Sequence, residues 1–83
     1  MTAAKFAEIV DRAARDEHIS GEIGQKIIDG FPWNSVSDRV DFPNIAEIIE
    51  YLVHCGQQCV CSNYQALYLV SRIKEADSGS NPQ

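Results

Sequence analysis

The chain is short of positive charge: seven Lys and Arg stand against twelve Asp and Glu, a formal net charge of −5. Lys5, Arg12, Arg15, Lys26, Arg39, Arg72 and Lys74 are scattered among acidic neighbours. A protein that neutralises nucleic-acid phosphates needs clustered cations, and an anionic membrane surface makes a similar demand. Neither partner is expected. No apolar run approaches the ~20 residues that span a bilayer, and Met1–Lys5 has no apolar stretch of the signal-peptide kind. The cysteines number three and crowd into Cys55, Cys59 and Cys61, unlike the spaced pairs of a disulfide framework. The expected compartment is the cytoplasm. At 83 residues there is room for one thin core and little for a deep substrate cleft.

What is present is helical periodicity. Phe6, Ile9, Val10, Ala13 and Ala14 fall at i, i+3, i+4, i+7 and i+8, with Glu8, Asp11, Arg12 and Arg15 on the other face. Ser20 is a natural N-cap for a second helix through Ile23, Ile27 and Ile28. Gly30 is its expected stop, and Gly21 and Gly24 weaken it. Phe31 and Trp33 read as core plugs. A short helical piece is expected through Val36 and Val40. Pro43 suits the first turn of the next helix, where Ile45, Ile48, Ile49, Leu52 and Val53 repeat the first pattern and Gly56 is the expected end. Ser62 caps a last helix with one stripe of Ala66, Leu69, Val70 and Ile73 and an adjoining one of Tyr64, Leu67 and Tyr68. No internal repeat stands out. The expectation is an all-α, antiparallel bundle of five to six helices over residues 1–76. A polar tail follows over 77–83, of the kind that links an N-terminal module to a longer protein.

Chemistry-bearing constellations are sparse. His54, Cys55, Cys59 and Cys61 put four metal-type ligands close together, but H-C-x3-C-x-C lacks the two separated ligand pairs of a zinc finger. Cys55 and Cys59 read more simply as small apolar fillers and Cys61 as a loop thiol. His54 diverges from Cys55 by about 100° on a helix, which breaks a Cys/His catalytic pair. Asp16-Glu17 and Glu47/Glu50 suit solvated faces, and no phosphate-binding glycine loop occurs. No catalytic residue, metal site or cofactor is expected, and the chain is read as not an enzyme. The alternative to a binding module is a small metal- or redox-responsive regulator built on His54, Cys55, Cys59 and Cys61.

Residues 27–32 (Ile-Ile-Asp-Gly-Phe-Pro), residues 41–52 (Asp-Phe-Pro-Asn-Ile-Ala-Glu-Ile-Ile-Glu-Tyr-Leu) and the amphipathic last helix ending Arg72-Ile73-Lys74-Glu75-Ala76 carry a likeness. In these stretches the chain resembles the death-fold superfamily, above all the death-effector domains and bacterial effector-associated or death-like domains. It lacks the Arg-x-Asp-Leu motif of death-effector domains. The resemblance implies a death-fold-like bundle with Greek-key topology. It further implies an adaptor that binds a similar helical domain or itself, in signalling or immunity and conflict systems, with homo-oligomers possible. Docking would run through charged helix faces. The interface candidates are Asp11, Arg12, Arg15, Asp16, Asp38, Arg39, Glu47 and Glu50, with Tyr64, Leu67 and Tyr68 as apolar candidates.

Overall fold

A computed structural model describes residues 3–31 and 45–79. Among the described residues there are four helices and no strands: α1 (Ala3–Arg15), α2 (Gly21–Gly30), α3 (Ile45–Gln57) and α4 (Asn63–Gly79). The all-helical expectation holds at that level. Four helices, rather than five to six, are seen; the piece expected through Val36 and Val40, together with Trp33 and Pro43, lies outside the described residues. No described helix is long and apolar enough to cross a membrane. Helix α4 continues through Asp77, Ser78 and Gly79, which the polar composition had assigned to the tail. Nothing before Pro82 forbids helical backbone there.

The core is one cluster drawn from every helix. Phe6 and Val10 of α1, Ile27 of α2, Ile48 and Leu52 of α3, and Leu69 and Ile73 of α4 are fully buried. Each side chain of this size contributes about 1.5–3 kcal/mol by leaving water. Phe31, just past α2, packs on Phe6 (ring centroids 5.7 Å apart) and edge-on against Tyr51 (4.9 Å). Two core residues escape the helical stripes, because Ile19 and Cys61 sit in the connectors. Val53 leaves its expected stripe and is exposed, lying at the edge of the α3 apolar arc.

The described residues form two helical hairpins built alike, at an offset of 42 residues: α1 starts at Ala3 and α3 at Ile45, α2 at Gly21 and α4 at Asn63. The repeat is one of structure; the sequence itself has none that stands out. At that offset Phe6 matches Ile48, Val10 matches Leu52, Ala13 matches Cys55, Ile19 matches Cys61 and Ile27 matches Leu69, and every one of these is buried. Only Ala4/Ala46, Glu8/Glu50 and Ser20/Ser62 are identical between 3–31 and 45–73. What repeats is burial and backbone conformation, so the letters hide it.

The connectors repeat most closely. Helix α1 ends with His18 N–H donating to the Ala13 carbonyl at 2.9 Å and Glu17 N–H to Ala14 at 3.1 Å. Helix α3 ends with Val60 N–H to Cys55 at 3.0 Å and Cys59 N–H to Gly56 at 3.3 Å. Both are paired 6→1 and 5→2 bonds that close a helix on one left-handed residue. That residue is Glu17 (φ 67°) in the first hairpin and Cys59 (φ 64°) in the second. Three residues later Ser20 Oγ accepts from Ile23 N–H and Ser62 Oγ from Gln65 N–H, both at 3.1 Å. Gln65 returns the favour by accepting from Ser62 N–H at 2.9 Å, a reciprocal capping box.

Of the two expected glycine stops, Gly30 does end α2 and Gly56 does not end α3. Helix α3 is closed by Cys59; Gly56 lies inside it, buried against α4, where an added Cβ would meet Asn63 Oδ1 at 2.9 Å and Ala66 Cβ at 3.1 Å. Gly30 ends α2 without a positive φ. Its missing side chain instead leaves room for the Tyr51 hydroxyl, which would stand 2.7 Å from a Cβ. Because a side chain at positive φ costs energy that glycine avoids, Glu17→Gly and Cys59→Gly should each add about 0.5–1 kcal/mol and ~2–8 °C of melting temperature. Thermal melts with reductant present would check this, and a drop in either variant would refute the assignment of these caps.

Candidate interaction site

A groove of about 430 Å³ runs between α1 and α4. Its floor is Ile9 and Ala13 from α1 with Tyr68 and Ala76 from α4. Its rim is charged: Lys5, Arg12, Arg15 and Arg72 face Glu8 and Glu75. Four of the chain's seven basic residues thus meet two of its twelve acidic ones, so the groove is locally positive on an acidic protein.

The rim charges are held lightly. Lys5 pairs with Glu8 at 3.1 Å, Arg12 with Asp16 at 3.6 Å and Arg72 with Glu75 at 2.7 Å. All are three or four residues apart, along a helix or at its end, and solvent-exposed, a geometry in which an ion pair contributes ~0.2–1 kcal/mol. A partner carboxylate can take over such a guanidinium at small cost. Arg15 has no carboxylate within ion-pair distance among the described residues. Tyr68 is fixed more firmly. Its ring stacks on His18 with centroids 3.9 Å apart and planes 18° from parallel. The Gln65 side-chain amide donates to the His18 carbonyl at 3.2 Å, tying the α1–α2 connector to α4.

Of the residues singled out in the sequence, Arg12, Arg15 and Tyr68 come together in the groove, with Asp16 beside them through its pair with Arg12. Asp11 is exposed on α1, and Glu47 (half-buried) and Glu50 (exposed) sit on α3, away from the groove lining. Asp38 and Arg39 lie outside the described residues. Tyr64 and Leu67 form an exposed apolar pair on α4 (76% and 63% accessible). The groove members that the sequence does not announce are Lys5, Glu8, Arg72 and Glu75. They become neighbours only when α1 lies along α4, which local periodicity does not encode.

The cysteine cluster separates. Cys55 is buried as expected, but Cys59 is exposed rather than a filler and Cys61 is buried rather than a loop thiol. The left-handed turn at Cys59 reverses the chain and sends Cys61 inward. All three are free thiols. Among the described residues no group of three or more His, Cys, Asp or Glu is placed to hold a metal ion. Burial pushes the Cys55 and Cys61 thiols up from their ordinary range. The Tyr51 hydroxyl, donating to the Ile27 carbonyl at 2.8 Å, is also raised well above the ordinary phenol range, first by burial and then by its hydrogen bond with Cys55. These are acids whose neutral forms the fold prefers. Their contribution is complete below the unfolded-state values and is lost as pH climbs past them. Stability is therefore expected to be flat through neutral pH and to fall above about pH 9, with Tyr51→Phe flattening the most alkaline part of the fall. Urea midpoints measured against pH in reductant test this; an unchanged midpoint up to pH ~11 would contradict it.

Comparison with known protein families, characterised proteins and solved structures finds no match. The reading of the site rests on its own residues.

Proposed function

We propose that this chain is a non-catalytic protein–protein interaction module that joins a similar helical domain or a second copy of itself, an adaptor in signalling or immunity. The observation that carries the reading is the α1/α4 groove. It gathers Arg12, Arg15 and Arg72 around an apolar floor on a chain whose other faces present Glu22, Asp29 and Glu50. Opposed charges of this kind select a partner and speed its approach more than they tighten it. The death-fold-like architecture, with a fifth or sixth helix, belongs to the same proposal and rests on the resemblance in residues 27–32 and 41–52.

Light scattering on a sizing column, from micromolar to millimolar chain with reductant present, is the test of self-association. A mass that rises with concentration and returns to the monomer value with Arg12→Glu or Arg15→Glu supports it. Added salt should weaken the association, because exposed charges are screened over about 8–10 Å at ordinary ionic strength. A mass that stays monomeric throughout overturns the self-association branch. Association that ignores both reversals and salt removes the charged face as its basis.

A further inference from the structure

The cations of the groove are held unequally. Lys5 and Arg72 are hydrogen-bonded to Glu8 and Glu75, at 3.1 and 2.7 Å. Arg12 and Arg15, in the last turn of α1, are not. Asp16 stands 3.6 Å from the Arg12 guanidinium, too far for a hydrogen bond. Arg15 has no carboxylate within ion-pair distance among the described residues. The carbonyl end of α1 attracts positive charge there. That accounts for the two charges, but it leaves open most of the five N–H donors that each guanidinium carries. Open donors stand out on a chain with twelve acidic residues to seven basic ones.

The donors define an acceptor. A carboxylate brings one charge and two oxygens and fits a single guanidinium fork. A phosphate monoester brings three oxygens and about 1.5 to 2 negative charges at neutral pH, so it can join two guanidiniums one helical turn apart. The groove continues past them over Ile9 and Ala76, farther than a free phosphate ion reaches. We infer that the groove receives a phosphorylated serine or threonine on a segment of a partner protein. Arg12 and Arg15 hold the phosphate, and Arg72 leaves Glu75 to close on it across the groove. The apolar neighbours of the phosphorylated residue lie on Ile9, Ala13 and Tyr68. Tyr68 is already fixed by its stack on His18, so that end of the floor is formed before the partner arrives. The inference rests on the interaction-module reading and names what the partner presents to this groove.

The test is a titration of the isotope-labelled chain by two-dimensional NMR with a short capped peptide of alanine and leucine carrying one central phosphoserine. Resonance shifts should group at Ile9, Arg12, Arg15 and Tyr68. Affinity should fall about tenfold or more when the phosphoserine becomes serine or glutamate, and in Arg12→Gln or Arg15→Gln. Lys74→Gln removes one exposed charge outside the groove lining and should bind as the unaltered chain does. All three variants change exposed side chains, and the spectrum itself shows that each is folded. Absence of shifts at millimolar phosphopeptide, shifts away from the groove, equal binding of the serine or glutamate peptide, or an equal loss in Lys74→Gln overturns the inference. Inorganic phosphate that binds as tightly as the phosphopeptide overturns the assignment to a protein segment. Groove shifts produced by raising the chain's own concentration, without peptide, give the groove to a second copy and overturn the inference as well. A chain that ignores the phosphopeptide but still self-associates defeats the phosphate site and leaves the module reading standing. One that binds it through Arg12 and Arg15 yet never self-associates supports the phosphate site and removes only the self-association.

Discussion

Phe6→Ala is expected to destabilise the fold by about 3–5 kcal/mol. An 83-residue chain has about 4–12 kcal/mol in total at the usual marginal stability per residue. The variant should therefore be partly or wholly unfolded at 37 °C. Phe6 is fully buried on α1 and packs on Phe31, which in turn meets Tyr51 on α3, so one ring couples three helices. Removing it takes away the ring on which Phe31 packs. Phe6→Leu, which keeps most of the volume, should cost less than half as much. Urea unfolding followed by circular dichroism measures both, and a loss below ~1 kcal/mol for the alanine variant would show that the aromatic cluster does not hold the hairpins together.

The second large effect concerns the points where the helices of each hairpin cross. In the first hairpin the pair is Ala14 against Gly24; a Cβ built on Gly24 would come 3.9 Å from Ala14 Cβ and 3.4 Å from the ends of Val10 and Ile19. In the second the two residue types change places, Gly56 against Ala66, and the added Cβ would come within 3.1 Å. Gly56→Ala should thus overpack the α3/α4 crossing and cost about 1–3 kcal/mol. Gly24→Ala should be neutral or gain up to about 1 kcal/mol from helix propensity. The double change Gly56→Ala with Ala66→Gly reproduces the arrangement of the first hairpin and should recover part of the loss, although the helix-interior glycine it creates retains some cost. A double-mutant cycle with no coupling between positions 56 and 66 would refute the crossing as drawn.

Local features were legible in the sequence to the extent that their cause is local. The stripes of α1, α3 and α4 and the caps at Ser20 and Ser62 follow from periodicity and from an oxygen placed to meet unpaired N–H groups. The ends of α1 and α3 were not legible, because they turn on Glu17 and Cys59 adopting a backbone state that glycine usually takes. Gly30 ends α2 as expected, whereas Gly56 only looked like a stop because glycine commonly is one. Each is present for the side chain or helix that comes close to it, Tyr51 for Gly30 and α4 for Gly56. Cys59 and Cys61 exchanged environments for the same reason that the turn was missed. For the site, Arg12, Arg15 and Tyr68 could be picked out as residue types, but their meeting with Arg72 depends on the approach of α1 to α4.

The two hairpins being parts of one chain has a consequence for how freely the surface can specialise. Had the same halves been separate molecules paired about a two-fold axis, every substitution would appear twice, and both seams would have to be alike. Tyrosine in one would mean tyrosine in both. Tethering removes that constraint and also removes the dependence of pairing on concentration. The seam with Tyr51 can then serve cohesion while the seam with Ile9 and Arg72 is released from it. Broken symmetry, obtained by joining like parts, is what lets the two seams of one small fold carry different side chains.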